Sequence, residues 1–346
     1  MPKRANNIVG IDIDASAITA VQARHGGRLT VDRVAVAPLE PGVVRDGEVV
    51  DVSGLAAALR TLFGENRGLS KRVRIGVANQ KIVVRVVELP YLSDPKELDA
   101  AVRFHAQEQV PMPLDQAVVD YQPLDVTEGP DGRRQRVVLV AARRDMVARV
   151  LTAARNAGLR PEGIDLSAFA MIRALYRPTE GAEHVLYVSV GGLTNLAVAN
   201  GTNCLFTRAS SGGLEALAIE LAERRALTLD HARGWLEHVG LEAAIEDVEG
   251  AADIVREARR VLLEGVRRIA ADIRNSLDYY HAQGGETAVS RVVLSGPAAA
   301  VPGFATALGS DLGLPITVGA VDGATPDLHG GRVAVAAGLS LEQVSA

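Results

Sequence analysis

Cysteine is almost missing. Cys204 stands alone in 346 residues, so no internal disulfide can form, and a reducing compartment is expected. Aromatic residues amount to only 3%. Basic charge is not in excess: 37 Lys and Arg face 42 Asp and Glu, for a net charge of −5. A chain that neutralises phosphates needs a positive footprint, so nucleic acid is not an expected partner. Long apolar runs are lacking too. The longest, residues 137–142, falls far short of the roughly 20 residues that cross a bilayer. Lys3 and Arg4 near the start are followed by Asp12 and Asp14, which break up the apolar core a secretion leader needs. The seven histidines show no metal-ligand spacing. These absences point to a cytoplasmic protein that does not insert directly into a membrane.

What the chain has is apolar mass, 48% of its residues, over a length that suggests about two domains. Ile8-Val9-Gly10-Ile11-Asp12-Ile13-Asp14 alternates with period two, and residues 17–23 resume as a second strand after a tight turn. Gly26-Gly27 supplies the next turn, before a third strand at 29–36. Ser53 is the candidate cap of a helix over 53–63, with Leu55, Leu59 and Leu62 at helical spacing. Strands at 73–78 and 82–88 lead to Leu89-Pro90. Asp94-Pro95-Lys96-Glu97 then has the cap, proline and acid of a helix start. Paired strands at 118–125 and 136–142 flank a turn at 129–132, and a helix at 145–157 stops at Gly158. Residues 83–165 thus form an inserted β-α-β-β-α module.

After the module the plan starts again. Residues 186–190, the turn Gly191-Gly192 and the strand at 195–199 repeat the layout of residues 8–27, which implies an internal duplication. Residues 214–281 are nearly all helix, with Leu262, Val266, Ile269, Ile273, Leu277 and Tyr280 as one apolar stripe. A strand at 292–295 ends in Ser295-Gly296, and a last helix begins near Arg332. Two glycine turns in matching halves are what a cleft needs if backbone N–H groups are to hold phosphates. Asp165, ahead of an apolar helix over 166–172, reads as an acidic helix cap, and Cys204 reads as packed.

Carried by these residues, the chain resembles the PilM family of type IV pilus assembly, relatives of the division protein FtsA among the actin-like ATPases. The resemblance rests on Val9-Gly10-Ile11-Asp12-Ile13, Ala101-Val102-Arg103-Phe104 and Pro111-Met112-Pro113-Leu114-Asp115. It rests also on Ser211-Gly212-Gly213 and Asn275-Ser276-Leu277-Asp278-Tyr279-Tyr280. It implies an α/β actin-like ATPase fold of two duplicated RNase H-like halves, with the inserted module and a helical subdomain. The implied units are residues 1–82, the module 83–165, then 166–213, the helical subdomain 214–285, and 286–346. A nucleotide would be cradled by Gly10, Asp12 and Ser16 on one side and by Gly191, Gly192 and Thr194 on the other. Gly296 and Gly338 would approach its base or sugar, Gly212 and Gly213 would close the cleft, and Asp12 would be the metal contact for Mg. The implied partners are the cytoplasmic N-terminal tail of a PilN-like single-pass membrane protein, held in a groove beside the module, and other pilus assembly components. That places the protein peripherally at the inner face of the cytoplasmic membrane.

Several positions depart from the family pattern. Asp14 stands where glycine is usual and puts a carboxylate beside the expected phosphates. Thr19 replaces a lysine, Ser189 replaces an aspartate near the metal, and Pro297 removes a backbone donor. ATP and Mg are therefore expected to bind weakly or not at all, with at most weak ATPase activity and no catalytic residue. An actin-like small-molecule kinase and an FtsA-like division protein are the alternatives. The losses at Thr19 and Ser189 disfavour the first. The second needs a basic amphipathic tail, and residues 339–346 contain no Lys or Arg.

Overall fold

Two five-stranded sheets built on one plan dominate the protein. Its structure, a computed structural model, describes residues 8–25, 29–130, 132–178, 183–283, 287–324 and 331–341. The expected Gly26-Gly27 turn, and Asp131 in the turn over 129–132, lie outside these residues.

The first half opens with β1 (Val9–Ile13) and β2 (Ala17–His25), which pair antiparallel; β3 (Leu29–Pro38) adds to the far side of β2. A small hairpin, β4 (Val44–Arg45) and β5 (Glu48–Val49), precedes α1 (Val52–Glu65). The cap of α1 is Asp51, not Ser53. The Asp51 carboxylate accepts the Ser53 and Gly54 N–H groups at 2.9 and 3.0 Å, satisfying two donors that one hydroxyl would share poorly. The helix carries the chain back over the sheet, so that β6 (Arg72–Val77) lies parallel to β1.

Then come β7 (Val83–Pro90), α2 (Pro95–Gln109), β8 (Ala117–Gly129) and β9 (Gly132–Arg143). The strands form a three-stranded sheet in the order β7-β9-β8, and Leu98, Val102 and Ala106 of α2 pack into its core. Asp94 caps α2 through the Lys96 N–H, with Pro95 in the first turn. The next elements return to the first half. Met146, Val150 and Ala153 of α3 (Arg144–Asn156) share a core with Leu55 and Leu59, and β10 (Arg160–Leu166) pairs parallel with β6. Of the stretch 83–165, the separate sheet therefore holds β7, β8 and β9, while α3 and β10 complete the first half.

From α4 (Ser167–Leu175) the chain enters β11 (His184–Val190), β12 (Leu193–Asn200) and β13 (Asn203–Ser211). The helices α5 (Leu214–Arg225), α6 (Leu229–Val239) and α7 (Ala252–Ala282) follow, then β14 (Val289–Ser295), α8 (Phe304–Leu312), β15 (Ile316–Val318) and α9 (Ala334–Ser340). The second sheet runs β13-β12-β11-β14-β15, matching β3-β2-β1-β6-β10 strand for strand. In each, an antiparallel three-strand meander continues into two parallel strands. The duplication read from the turn glycines is thus a duplication of topology. The α7 stripe is buried at Leu262, Val266, Ile269 and Ile273, each worth about 2 kcal/mol of transfer free energy.

Between the sheets lie α4 and α9, sharing a core with Val21 of the first half and Tyr187 and Val293 of the second. Asp165 does not cap α4. One of its oxygens pairs with Arg173 and the other accepts the adjacent Leu166 N–H at 2.8 Å. A guanidinium one helical face away offers charge that helix-end N–H groups do not.

Candidate functional site

A cleft of about 400 Å³ opens between the halves. Its floor is made by two facing turns. Residues 14–16 join β1 to β2, closed by the Asp14 N–H bond to Ala17 O at 2.9 Å. Gly191 and Gly192 join β11 to β12 in the same way, with Gly191 N–H donating to Leu193 O at 2.9 Å. Gly296, at the end of β14, brings a third stretch of backbone to the wall, and its φ of +81° suits glycine.

Five of the residues expected at a nucleotide come together here: Asp12, Ser16, Gly191, Gly192 and Gly296. The other five lie outside the cleft lining. Gly10 sits under α9, where a Cβ would come within 1.9 Å of Ala336 O, and Gly338 faces α4, with Ala170 O at 1.8 Å. At both, backbone crosses backbone closely enough to exclude a side chain. Gly213 supports the second turn from behind, with Gly191 O at 2.1 Å from the position of a Cβ. Gly212 takes a φ of +104° with open space beside it, and Thr194 is a buried residue of β12.

Asp14 reaches across the cleft. Its Oδ1 accepts the Gly192 N–H at 2.7 Å and the Ala15 N–H at 2.9 Å, one donor from each half. A Cβ on Gly191 or Gly192 would lie 2.4 Å from one or other carboxylate oxygen. Burial pushes the Asp14 carboxyl up, Glu215 adds to that, and the two N–H groups and Arg332 act against it. Ser189 stands beside Gly296, and Pro297 has no N–H to offer.

The lining is acidic. Asp12, Asp14, Asp46, Glu215 and Glu237 outnumber two cations, Arg233 and Arg332. Both cations are engaged: Arg233 with Glu215 and Asp230, its Nε 2.9 Å from Glu215 Oε2, and Arg332 with Glu237 at 2.9 Å. The pairs with Glu215 and Glu237 were not legible in the sequence, because each joins residues far apart in the chain; only Arg233 and Asp230, three apart on α6, are neighbours in sequence. Among the described residues no group of three or more His, Cys, Asp and Glu side chains could hold a metal ion. The Ala15 and Gly192 N–H groups are taken by Asp14, Arg332 keeps a buried Nε without a hydrogen-bond partner, and acidic side chains outnumber basic ones in the lining.

Asp12 gives the cleft a pH dependence. Burial pushes its carboxyl from 3.8 up to about 7, and neighbouring Asp14 adds to the push. The fold therefore holds that proton more tightly than the unfolded chain does. The contribution of Asp12 to stability is fully present below pH 3.8 and is lost as pH rises to about 7. Because Asp12 keeps some contact with water, the loss is put at about 2 kcal/mol, less than the whole shift would give. Asp12→Asn is expected to raise the urea midpoint at pH 8 and leave it unchanged at pH 4; the same gain at both pH values would refute this.

The profile of the family described as "Type IV pilus assembly protein PilM" matches residues 10–322. A chain of the "PilM-PilN type IV pilus biogenesis complex" is similar over 96% of this chain and 97% of its own, at 26% identity and a TM-score of 0.80. The ethanolamine utilization protein EutJ from Carboxydothermus hydrogenoformans is similar at 16% identity over 99% of this chain and 90% of its own, with a TM-score of 0.59. MreB5 of Spiroplasma citri bound to ADP is similar at 10% identity over 96% of this chain and 95% of its own, with a TM-score of 0.52. The last two likenesses are of fold, and that fold is the actin-like one. No helix among the described residues is long and apolar enough to cross a membrane.

Proposed function

The chain belongs to the PilM family of type IV pilus assembly proteins, and on that premise we propose that it is a cytoplasmic scaffold that grips the N-terminal tail of a PilN-like single-pass membrane protein. The observation that carries this is the likeness to a chain of the PilM-PilN complex along almost the entire length. Through that tail the protein would sit at the inner face of the membrane, without a span of its own, and present its surfaces to other assembly components.

The place we propose for the tail is a groove of about 620 Å³ between the module and the second half. Val84 and Val86 of β7 line one wall, and Leu205 and Phe206 of β13 the other, with Tyr279 and Tyr280 behind. Both β7 and β13 are the last strands of their sheets on these sides. Strand edges that carry unpaired N–H and C=O groups hold an extended peptide by backbone hydrogen bonds, while apolar side chains between them take its alternate residues. Nucleotide plays a small part in this reading, since the cleft opposes polyphosphate.

Calorimetry with the N-terminal peptide of a PilN-like single-pass protein tests the reading. Val86 is 39% exposed, so Val86→Asp should leave the fold intact while placing a charge in the groove. A loss of at least about tenfold in peptide affinity, worth about 1.4 kcal/mol, is expected. Unchanged affinity would move the tail elsewhere, and no binding by the unaltered protein would remove the scaffold reading.

A further inference from the structure

The two turns of the cleft already hold an anion. We propose that the Asp14 carboxylate is an internal stand-in for a phosphate, seated on the Gly191-Gly192 turn so that it clasps the halves together without nucleotide and keeps polyphosphate out. This rests on reading the cleft as a nucleotide cleft whose phosphate cradle persists.

Three observations carry it. The carboxylate oxygen takes one N–H from its own hairpin, Ala15, and one from the opposite half, Gly192, at 2.9 and 2.7 Å. That geometry is what the backbone of such turns offers an oxyanion. The carboxylate also fills the space in front of the glycines. A Cβ on either would lie 2.4 Å from a carboxylate oxygen, the nearest atom it would meet at both positions, with Ala15 next at Gly192. Finally, the lining is acidic on balance, which does not favour exchanging the carboxylate for a more highly charged anion, although Arg332 keeps a buried Nε without a partner. The cations of the lining, Arg233 and Arg332, are paired with Glu215 and Glu237. A phosphate entering the cradle would lose those N–H groups to Asp14 and stand beside its charge.

The contact spans residues 178 positions apart and joins the two sheets at the cleft floor. It is separate from the contact of α4 with α9 at Ala170 and Gly338, so the halves are fastened at a second place. Other proteins of this fold can use a bound ligand for that fastening; here a side chain does it.

The test compares the full-length protein with Asp14→Gly and Asp14→Asn by hydrogen–deuterium exchange of the segment containing Gly191 and Gly192, and by calorimetric titration with Mg-ATP. Asp14→Gly should raise exchange of the turn at least tenfold without ligand and strengthen Mg-ATP binding at least tenfold. Asp14→Asn keeps an acceptor oxygen for the Gly192 N–H, so its turn should stay within about threefold of the unaltered protein while Mg-ATP binds more tightly. Circular dichroism and urea midpoints confirm that each variant is folded, and Asp14→Asn serves as the test should Asp14→Gly not fold. Unchanged exchange in Asp14→Gly overturns the clasp, and raised exchange without tighter Mg-ATP overturns the stand-in. Neither result bears on peptide affinity at the β7–β13 groove, which is measured separately.

Discussion

Gly338→Ala lowers the stability of the protein by about 3 kcal/mol or more, at the upper end of what overpacking costs. The added methyl would lie 1.8 Å from Ala170 O and 2.5 Å from Ala170 C, both main-chain atoms that no rotamer change can move. To reach ordinary contact the helices must part by roughly 1.5 Å, which loosens every apolar pair between them. Alanine favours a helix over glycine by about 1 kcal/mol, so the change is expected to destabilise in spite of propensity. Urea unfolding followed by circular dichroism reads the loss directly. A midpoint equal to that of the unaltered protein would show that α4 and α9 are not as close as described.

Arg173→Met is the second large effect, about 3 to 5 kcal/mol. Its guanidinium pairs with Asp165, whose side chain is only 5% exposed, and it also donates to Gly338 O, with Nη2 at 3.3 Å. Removing the cation leaves a carboxylate out of water with the Leu166 N–H as its remaining donor. The cost is that of an uncompensated buried charge, not the worth of the pair. The double variant Arg173→Met, Asp165→Asn is therefore expected to recover more than half of the loss. If the double variant is as unstable as the single one, the damage comes from packing of the arginine stem and not from charge.

Both predictions concern the same crossing, and it shows where sequence reasoning stops. A glycine tells that something comes close, not what. Gly10 and Gly338 permit the approach of another backbone, Gly191 and Gly192 the approach of Asp14, and the four are alike in sequence. Local signals fared better. The Asp94-Pro95 helix start and the Leu262 to Tyr280 stripe each state their own partner face, and the structure has them as expected; the strand at the start is there too, but Val9, Gly10 and Ile11 are buried in succession and do not alternate. The repeated strand–turn–strand plan was enough to expect two matching halves.

Long-range parallel pairing leaves no such mark. β10 looks like the end of the module because it follows α3 in sequence, yet Ile164 lies opposite Ile75 in the first sheet. Asp51 and Ser53 are both able to cap a helix, and the choice between them is made by geometry at the turn. Asp165 could cap or pair, and Arg173, one residue beyond the helix expected over 166–172, decided it. The short α8 and β15 carry too few residues for a periodic pattern. At the cleft, the charge of Asp14 was visible as an obstacle to phosphate. Its role as the acceptor for Gly192 depends on how the halves meet, which no local pattern records.

The tight meeting of α4 and α9 has a mechanical consequence. Main chain pressed on main chain at Ala170 and Gly338 leaves no slack for one half to slide along the other, so relative movement there reduces to rocking about a fulcrum. The module hangs from one arm of this seesaw and the α5 to α7 lobe from the other. The gap between β7 and β13 spans both arms, so whatever wedges into it sets the angle at which the two are held.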